Sequence, residues 1–253
     1  MSSARLFLVP NTLDFGIAGE PAPLDDLLPR STLREAARLS HWVVENAKTA
    51  RAFLKRVDAV FPLAQPLQSL QIQELPRPPK GGKGPSPDWK PLLTPLRAGQ
   101  DLGLLSEAGL PAVADPGSQL VAAAHREGFG VVTLSGSSSL VLALAASGLQ
   151  GQSFAFVGYL PQEAAARLAR VKELEQRSKR EQQTQLAIET PYRNQALLDG
   201  LLQALQGETL LSVSASLCTP LAWTRTARVA DWKRQPSTLP ADQPAIFSWL
   251  ASG

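Results

Sequence analysis

The sequence predicts an α/β protein with two α/β domains, and three observations support this. From Asp101 onward, short apolar runs alternate with helical patterns, which is the signature of α/β layers. The last three apolar runs lack helical patterns between them, so an antiparallel finish is expected. The two halves differ in composition and show no internal repeat, which favours an N-terminal domain over residues 1–117 and a C-terminal domain over 118–253.

The N-terminal elements follow from apolar spacing and caps. The apolar run 5–9 stops at Pro10-Asn11 and predicts a first strand that ends in a loop. Ser31 supplies a hydroxyl cap and Glu35 an acid for a helix that opens there. Residues 41–45 predict a second strand, and Asn46 caps a helix over 47–57.

The same rules predict the elements of the second half. Strands are expected over 102–105, 130–134, 154–157, 186–188, 209–214, 222–229 and 245–250. Helices are expected over 118–126, 138–146, 163–180 and 194–205.

Residues 75–87 are rich in proline and glycine, which disfavour regular hydrogen bonding and leave the backbone loose. This loop carries Arg77, Lys80 and Lys83 and no acid. One interpretation is a solvated connector. The other is a basic flap that contacts an anionic substrate.

Composition restricts the class of protein. With 44% hydrophobic and 19% charged residues, the chain is a globular protein and not a disordered one. The single cysteine, Cys218, cannot form an internal disulfide and is interpreted as a small buried hydrophobe. Two histidines and one cysteine, widely spaced, argue against a zinc site. The apolar run at the N-terminus is too short for a signal peptide, and no apolar stretch is long enough to span a bilayer. A soluble cytoplasmic protein is therefore expected.

Two loops have the composition of binding sites. Residues 104–117 run from a strand into Gly109, two prolines and an Asp-Pro-Gly turn, and such loops at strand ends bind ligands in open α/β sheets. The Ser135-Gly-Ser-Ser-Ser139 segment offers hydroxyls and backbone N–H groups before a helix. A plain connection and ordinary helix capping are the alternatives. Neither segment is a dinucleotide fingerprint or a P-loop.

Five motifs occur in order along the chain. They are Ser106-Glu-Ala-Gly-Leu-Pro-Ala-Val-Ala-Asp-Pro-Gly117, Leu134-Ser-Gly-Ser-Ser-Ser-Leu140, Ala146-Ser-Gly-Leu149, Phe156-Val-Gly-Tyr-Leu-Pro161 and Ile188-Glu-Thr-Pro-Tyr-Arg193. This series resembles the tetrapyrrole methylase superfamily, and within it the ribosomal RNA small subunit methyltransferase I branch. That branch reads Ser-Asp-Ala-Gly-Thr-Pro with Asp-Pro-Gly, then Pro-Gly-Pro-Ser, Ser-Gly-Leu, Gly-Phe-Leu-Pro and Glu-Ser-Pro-His-Arg.

The resemblance implies a two-domain methyltransferase, usually a homodimer, that binds S-adenosylmethionine in the interdomain cleft. Carried over position by position, it assigns cofactor binding to Pro10, Ser106, Ala108, Gly109, Pro111, Asp115, Gly117, Ser137, Ser138, Glu189, Thr190, Pro191, Ser214, Ala215, Ala245 and Ile246. The segment that contains Ala245 and Ile246 resembles the last strand, whose backbone faces adenine.

The chain also departs from the branch. The first loop, Thr-Pro-Ile-Gly-Asn-Leu in the branch, lacks its glycine here, and Asn46 and Ala47 replace an Asp and a Thr. Tyr192 replaces the histidine of the Pro-His-Arg motif. These differences predict a divergent paralogue.

The expected chemistry is methyl transfer by in-line displacement, which depends on positioning. A ribose hydroxyl would also need a base, and Glu45 and Glu107 are the candidate catalytic residues, with surface acids as the alternative. Asp115 is expected to hold its Asp-Pro-Gly turn. No metal is expected.

Basic side chains cluster in the 75–87 loop, in the helix 163–180 and over 225–234. They favour ribosomal RNA ribose as the acceptor, although the helix also fits a solvated face of ion pairs. A small or tetrapyrrole-like acceptor, and a paralogue that binds cofactor or RNA without turnover, are the alternatives.

Overall fold

The computed structural model describes residues 4–14, 22–76 and 87–252. Arg77, Lys80 and Lys83, which carry the flap hypothesis, lie outside the described residues. The chain divides into two compact units, the first ending at Ser137 and the second beginning at Ser138.

The first unit contains a five-stranded parallel sheet. Its strands are β1 (Arg5–Val9), β2 (His41–Val44), β3 (Gln71–Glu74), β4 (Leu102–Leu105) and β5 (Gly130–Thr133), in the order β3-β2-β4-β1-β5. The helices are α1 (Leu24–Leu27), α2 (Arg30–Arg38), α3 (Ala47–Val60), α4 (Thr94–Arg97) and α5 (Ser118–Arg126), with short 3-10 helices at Leu67–Ser69 and Lys90–Leu93.

Both faces of the first sheet are covered, as a parallel sheet requires. All four residues of β4 are buried at the centre. On one face Trp42 packs with Leu54 of α3. On the other Leu104 packs with Leu93 and Leu120.

The predicted domain boundary after residue 117 is wrong, because α5 and β5 belong to the first unit. β5 pairs in parallel with β1, with Val131 opposite Leu6. Leu120 and Ala124 of α5 are buried in the same core as Leu6. The Asp-Pro-Gly turn is therefore a connection inside a β-α-β unit and not a linker between domains.

The second unit contains a five-stranded mixed sheet. Its strands are β6 (Phe154–Tyr159), β7 (Thr184–Ile188), β8 (Leu210–Ala215), β9 (Trp223–Arg228) and β10 (Ala245–Leu250), in the order β6-β7-β10-β8-β9. Its helices are α6 (Ser139–Ser147), α7 (Ala164–Glu181), α8 (Asn194–Ala204) and α9 (Val229–Arg234), with a 3-10 helix at Pro191–Arg193. β6 and β7 are parallel, and β10 runs antiparallel to β7 and β8. The antiparallel finish is confirmed, although α9, which was not predicted, separates β9 from β10.

The helices of the second unit cover its sheet from both sides. Leu140 and Leu144 of α6 pack with Ile246 on one face. Val171 of α7 and Leu197 of α8 pack with the opposite face. Among the described residues no helix combines the length and apolar character needed to cross a bilayer.

Three local predictions have different outcomes. The cap of α3 is confirmed, since the Asn46 side chain accepts from the backbone N–H groups of Lys48 and Thr49. Ser31 is not a cap, because α2 begins at Arg30 after Pro29, whose φ of −56° is already suited to helix entry. Cys218 is exposed and not buried, because it lies in the turn after β8 with a φ of +63°.

Candidate active site

The strand order of the first unit brings several predicted site residues to one edge of its sheet. The carboxyl ends of β2, β4, β1 and β5 lie side by side there. Glu45 follows β2, Ser106 and Glu107 follow β4, Pro10 follows β1 and Ser137 comes after β5. Ligands of open α/β sheets bind outside such an edge, so we call this the first-unit edge.

Asn11, which the sequence analysis did not select, joins two loops of the first-unit edge. Its carboxamide nitrogen donates to the carbonyl oxygens of Ser106 and Glu107, at 3.0 Å each. Its backbone N–H donates to the Gly109 carbonyl oxygen at 2.8 Å. Asn11 is buried, so these bonds are shielded from water. The loop after β1 therefore holds the loop after β4.

The rest of the β1 loop is anchored by α3. Arg56 donates to the Asp14 carboxylate at 3.2 Å and to the Ala22 carbonyl oxygen at 3.0 Å. Thr12 donates its hydroxyl proton to the same carboxylate. This loop, which lacks the glycine of the methyltransferase I branch that the chain resembles, is thus held by side chains.

The candidate catalytic residues Glu45 and Glu107 are connected to each other. A Glu45 carboxylate oxygen accepts from the Glu107 backbone N–H at 3.0 Å, so Glu45 also positions the β4 loop. The Glu107 carboxylate accepts from the Thr49 hydroxyl at 3.4 Å. Partial burial, and then the nearby Glu45 charge, raise the pKa of Glu107.

Asp115 has the largest electrostatic perturbation of the first-unit edge. Burial first, and then the Glu45 and Glu107 charges, raise its pKa to about 7, while hydrogen bonding with Ser106 opposes this rise. Asp115 therefore exchanges its proton near neutral pH. Among the described residues no group of three or more histidine, cysteine or acidic side chains could hold a metal ion.

The β4 loop has an unusual backbone that fixes its shape. Gly109 is buried with a φ of +63°, and Gly117 precedes α5 with a φ of +124°. Ala112 and Ala114 also have positive φ, which L-residues adopt at a cost. The Ser106 hydroxyl donates to the Ala108 carbonyl oxygen at 3.1 Å, and Pro111 is buried.

Gly136 is a second residue that the sequence analysis did not select. A Cβ at this position would lie 2.3 Å from two atoms of the Pro10 ring, so only glycine allows the two loops to meet. Ser135 is tied to α2, because its carbonyl oxygen accepts from the Thr32 hydroxyl at 2.7 Å. The sequence feature that could have indicated Gly136 is that it is the one glycine within the serine-rich segment 135–139.

The remaining predicted site residues lie on the second unit. Ser138 is the N-cap of α6 and makes no side-chain cap bond. In the sheet, Ile246 pairs with Ile188 on one side and with Ser214 on the other, and Ala245 pairs with Ala215. Glu189, Thr190 and Pro191 follow β7 at this same edge, which we call the second-unit edge.

Glu189 organises the loop after β7. One of its oxygens accepts from the Thr190 backbone N–H at 2.7 Å, the Thr190 hydroxyl at 3.2 Å and the Arg193 guanidinium at 2.9 Å. Glu189 is therefore engaged inside its own loop. The Arg193 guanidinium also lies over the Tyr192 ring, 5.1 Å from its centroid.

The entry to β10 is held from two sides. The Ser216 backbone N–H donates to the Pro244 carbonyl oxygen at 3.0 Å, and the Asn194 side chain donates to the Gln243 carbonyl oxygen at 2.8 Å. The Ser214 hydroxyl accepts from the Thr224 hydroxyl at 2.9 Å. Ser216 is fully buried with a φ of +51°, and its hydroxyl has no hydrogen-bond partner among the described residues.

Within the described part of the predicted basic clusters, most arginines contact acidic or aromatic side chains of the protein. On α7, Arg170 pairs with Glu173 at 2.6 Å and Arg177 with Glu181 at 3.0 Å. Arg225 lies over the Trp232 ring, 4.0 Å from its centroid. The structure therefore favours the alternative of a solvated, ion-paired face for α7.

Comparison with known proteins identifies sequence relatives. No protein-family model matches the chain. It is 29% identical over 237 residues to the ribosomal RNA small subunit methyltransferase I of Pseudomonas aeruginosa, which covers 92% of this chain and 74% of that protein. It is 38% identical over 116 residues to the protein of the same name from Halalkalibacterium halodurans, covering 46% of this chain and 39% of the relative. The chain thus matches less than half the length of that relative.

Solved structures share the fold over nearly the whole chain. Uroporphyrin-III C-methyltransferase from Thermus thermophilus aligns over 98% of this chain and 92% of its own, with a TM-score of 0.52 and 20% identity. Cobalt precorrin-4 methyltransferase aligns over 97% and 94%, with a TM-score of 0.57 and 14% identity. The chain therefore has the fold of these two methyltransferases. Its sequence relatives are ribosomal RNA small subunit methyltransferase I proteins, the branch that the motif series resembles.

Proposed function

We propose that this chain is an S-adenosylmethionine-dependent methyltransferase whose acceptor is ribosomal RNA. The observation that carries the proposal is the match to ribosomal RNA small subunit methyltransferase I proteins, one of which covers 92% of the chain. The finer proposal, from the resemblance, is that the accepting atom is a ribose 2′-hydroxyl oxygen.

The first-unit edge suits a cationic cofactor. When bound, S-adenosylmethionine supplies a methyl group on a positively charged sulfonium. Glu45, Glu107 and Asp115 interact electrostatically at this edge, and negative charge there favours a cation. Gly109 has a φ of +63° and no side chain, so a ligand can approach the backbone of this loop closely.

The same acids suit proton transfer from a hydroxyl. The best acceptor has a pKa near the working pH, and the pKa of Asp115 is raised to about 7. The raised pKa of Glu107 makes it the second candidate. Glu45 uses one oxygen to hold the Glu107 backbone, which supports a positioning role.

The bonds around the altered first loop argue against a paralogue without turnover. Asn11 and Arg56 hold this loop in place of the missing glycine. These bonds keep the altered loop ordered against the loop after β4, which supports a retained binding site. The uroporphyrin-III and cobalt precorrin-4 methyltransferases are at or below 20% identity, so they support a common fold and not a common acceptor.

The test has two stages. Isothermal calorimetry of the purified chain should show S-adenosylmethionine binding, and absence of binding would refute the enzyme proposal. Labelled methyl transfer should then be measured to ribosomal RNA from a strain that lacks the gene. Label in RNA with none in a tetrapyrrole mixture supports the proposed acceptor, and the reverse supports the small-acceptor alternative.

The homodimer is also proposed from the resemblance. Light scattering of the purified chain tests it, and a monomer at micromolar concentration would refute it. The cytoplasmic location stays a prediction.

A further inference from the structure

We propose that Tyr159 and Tyr192 form a stacking platform for an unpaired nucleobase of the RNA acceptor. This inference rests on the proposed function, since it assigns part of the RNA-binding surface to the second-unit edge. The two side chains are the only tyrosines of the chain, and they are 58% and 69% exposed.

The two tyrosines follow neighbouring strands at the same edge. Tyr159 is the last residue of β6 and pairs with Ile188, the last residue of β7. Tyr192 lies in the 3-10 helix Pro191–Arg193, four residues after Ile188. Both tyrosines therefore lie beside the Glu189–Pro191 loop.

A β-bulge determines the side of the sheet on which Tyr159 lies. Phe156 pairs with Leu186 and Gly158 with Ala187, so Val157 is an extra residue. Without it, Phe156 and Tyr159 would point to opposite faces, since they are three residues apart. With it, Tyr159 shares the face of Ile188 and Phe156. Bulges that re-aim a side chain are common beside functional sites.

Only glycine suits the next position of this bulge. Gly158 has a φ of +72°, and a Cβ there would meet no atom within 4 Å, so the backbone angle and not space requires glycine. The chain after Tyr159 is also fixed, because Arg167 donates to the Gln162 carbonyl oxygen at 3.0 Å. The backbone that carries Tyr159 is thus positioned before any ligand arrives.

Tyr192 is supported by an anchored cation. The Arg193 guanidinium lies 5.1 Å from the ring centroid and is held by Glu189, whose side chain is almost fully buried. An arginine beside an exposed ring suits nucleic acid, because the ring stacks on a base while the cation faces the anionic strand. Arg170 and Arg177 of α7 are paired with acids and Arg225 lies over Trp232, so we assign the RNA affinity of this edge to stacking on the exposed rings.

The test measures two affinities of the full chain. The probe is a fluorescein-labelled single-stranded RNA of mixed sequence, and its duplex form serves as a second probe. Tyr159→Leu and Tyr192→Leu should each weaken single-strand binding by about fivefold to hundredfold, because a base loses its aromatic partner. Tyr159→Phe and Tyr192→Phe should stay within about twofold, since the ring is kept.

A matched control lies on the same strand. Phe154 begins β6 and is 46% exposed, but it lies at the opposite end of the strand. Phe154→Leu should therefore leave RNA affinity unchanged. Calorimetry should show an unchanged S-adenosylmethionine affinity in all these variants.

Each contrary outcome has a distinct meaning. If the wild-type chain binds the single strand and the leucine variants bind equally well, the platform is refuted and the proposed function stands. If the leucine variants lose cofactor affinity and keep RNA affinity, the rings face the cofactor and the platform is refuted. If the wild-type chain binds cofactor but neither RNA probe, both the platform and the RNA acceptor are refuted.

Discussion

At the first-unit edge, the buried carboxamide of Asn11 donates two hydrogen bonds, and burial together with the Glu45 charge raises the pKa of Glu107 and of Asp115. At the second-unit edge, the buried hydroxyl of Ser216 has no partner among the described residues, and two tyrosines are exposed. The difference follows from sheet topology. In the first unit all strands are parallel, so the loops after β2, β4, β1 and β5 meet at one edge, whereas in the second unit β10 runs antiparallel and brings its amino end to the edge where β7 and β8 end.

The largest expected effect concerns the contact between two loops of the first edge. Gly136→Ala would place a Cβ 2.3 Å from the Pro10 ring, which cannot rotate away. We expect a loss of about 3 kcal/mol in the free energy of unfolding, measured by urea denaturation. Gly151→Ala in the second unit is the control, because its Cβ would meet no atom within 4 Å. Equal losses in the two variants would contradict the close contact.

Asn11→Asp tests whether the first edge depends on a donated carboxamide bond. The aspartate keeps the shape but turns an acceptor toward two carbonyl oxygens, so we expect a loss of about 2–3 kcal/mol in unfolding free energy. The affinity for S-adenosylmethionine, measured by calorimetry, should fall about tenfold if the loop moves.

The control for Asn11 removes a buried bond far from either edge. The Thr184 hydroxyl donates to the Gln150 carbonyl oxygen at 2.8 Å, at the start of β7. Thr184→Val should lower the free energy of unfolding by about 1 kcal/mol and leave the affinity for S-adenosylmethionine unchanged. If both variants lost cofactor affinity, the effect of Asn11 would be general destabilisation and not positioning.

Asp115→Asn tests the electrostatics of the first edge through pH. The pKa of Asp115 is raised from 3.8 to about 7, so the folded state keeps a proton that the unfolded state loses. The wild-type chain should therefore lose stability between about pH 4 and pH 7 relative to Asp115→Asn. At pH 8 Asp115→Asn should be more stable than the wild-type chain by about 1–2 kcal/mol. This difference is smaller than the full pKa shift would give, because solvent screens the charge of a partly exposed carboxyl. Urea titrations at pH 4 and pH 8 check this, and an equal difference at both pH values would contradict it.

Ser216→Ala has the smallest expected effect and the opposite sign. Removing a buried hydroxyl without a partner removes its desolvation cost, so unfolding free energy should stay equal or rise by about 1 kcal/mol. A loss of more than about 1 kcal/mol, measured by urea denaturation, would show that the hydroxyl is bonded in solution. The two edges would then be more alike than the structure indicates.

The sequence predicted the strands and helices that form both edges better than it predicted which of their loops contact one another. Strands and helices from residue 102 onward were found within a few residues, because apolar periodicity reports burial directly. β3 was missed, since its exposed sequence Gln71-Ile-Gln-Glu74 has little apolar signal. α9 was missed because Val229 and Trp232 read as the end of a strand and a loop.

The candidate site shows the same division. The glycines and acids of the β4 loop could be chosen from motif and residue type. Asn11 could not, because a buried asparagine is recognised only when its partners are known, and these lie about a hundred residues away. Tyr192 was noted only as a departure from a motif, and its exposure beside Tyr159 depends on a bulge that no local pattern reveals.

By itself the sequence determined the order of most strands and helices, the cap of α3 and the series of motifs that resembles the tetrapyrrole methylase superfamily, because these depend on residues close together in the chain. The tertiary structure decided the boundary at Ser137 and the meeting of Pro10 with Gly136. It also decided the electrostatic coupling of Glu45, Glu107 and Asp115. The physical reason is sheet order, since β1 lies between β4 and β5, and the loops that meet at an edge are set by strand pairing and not by position in the chain.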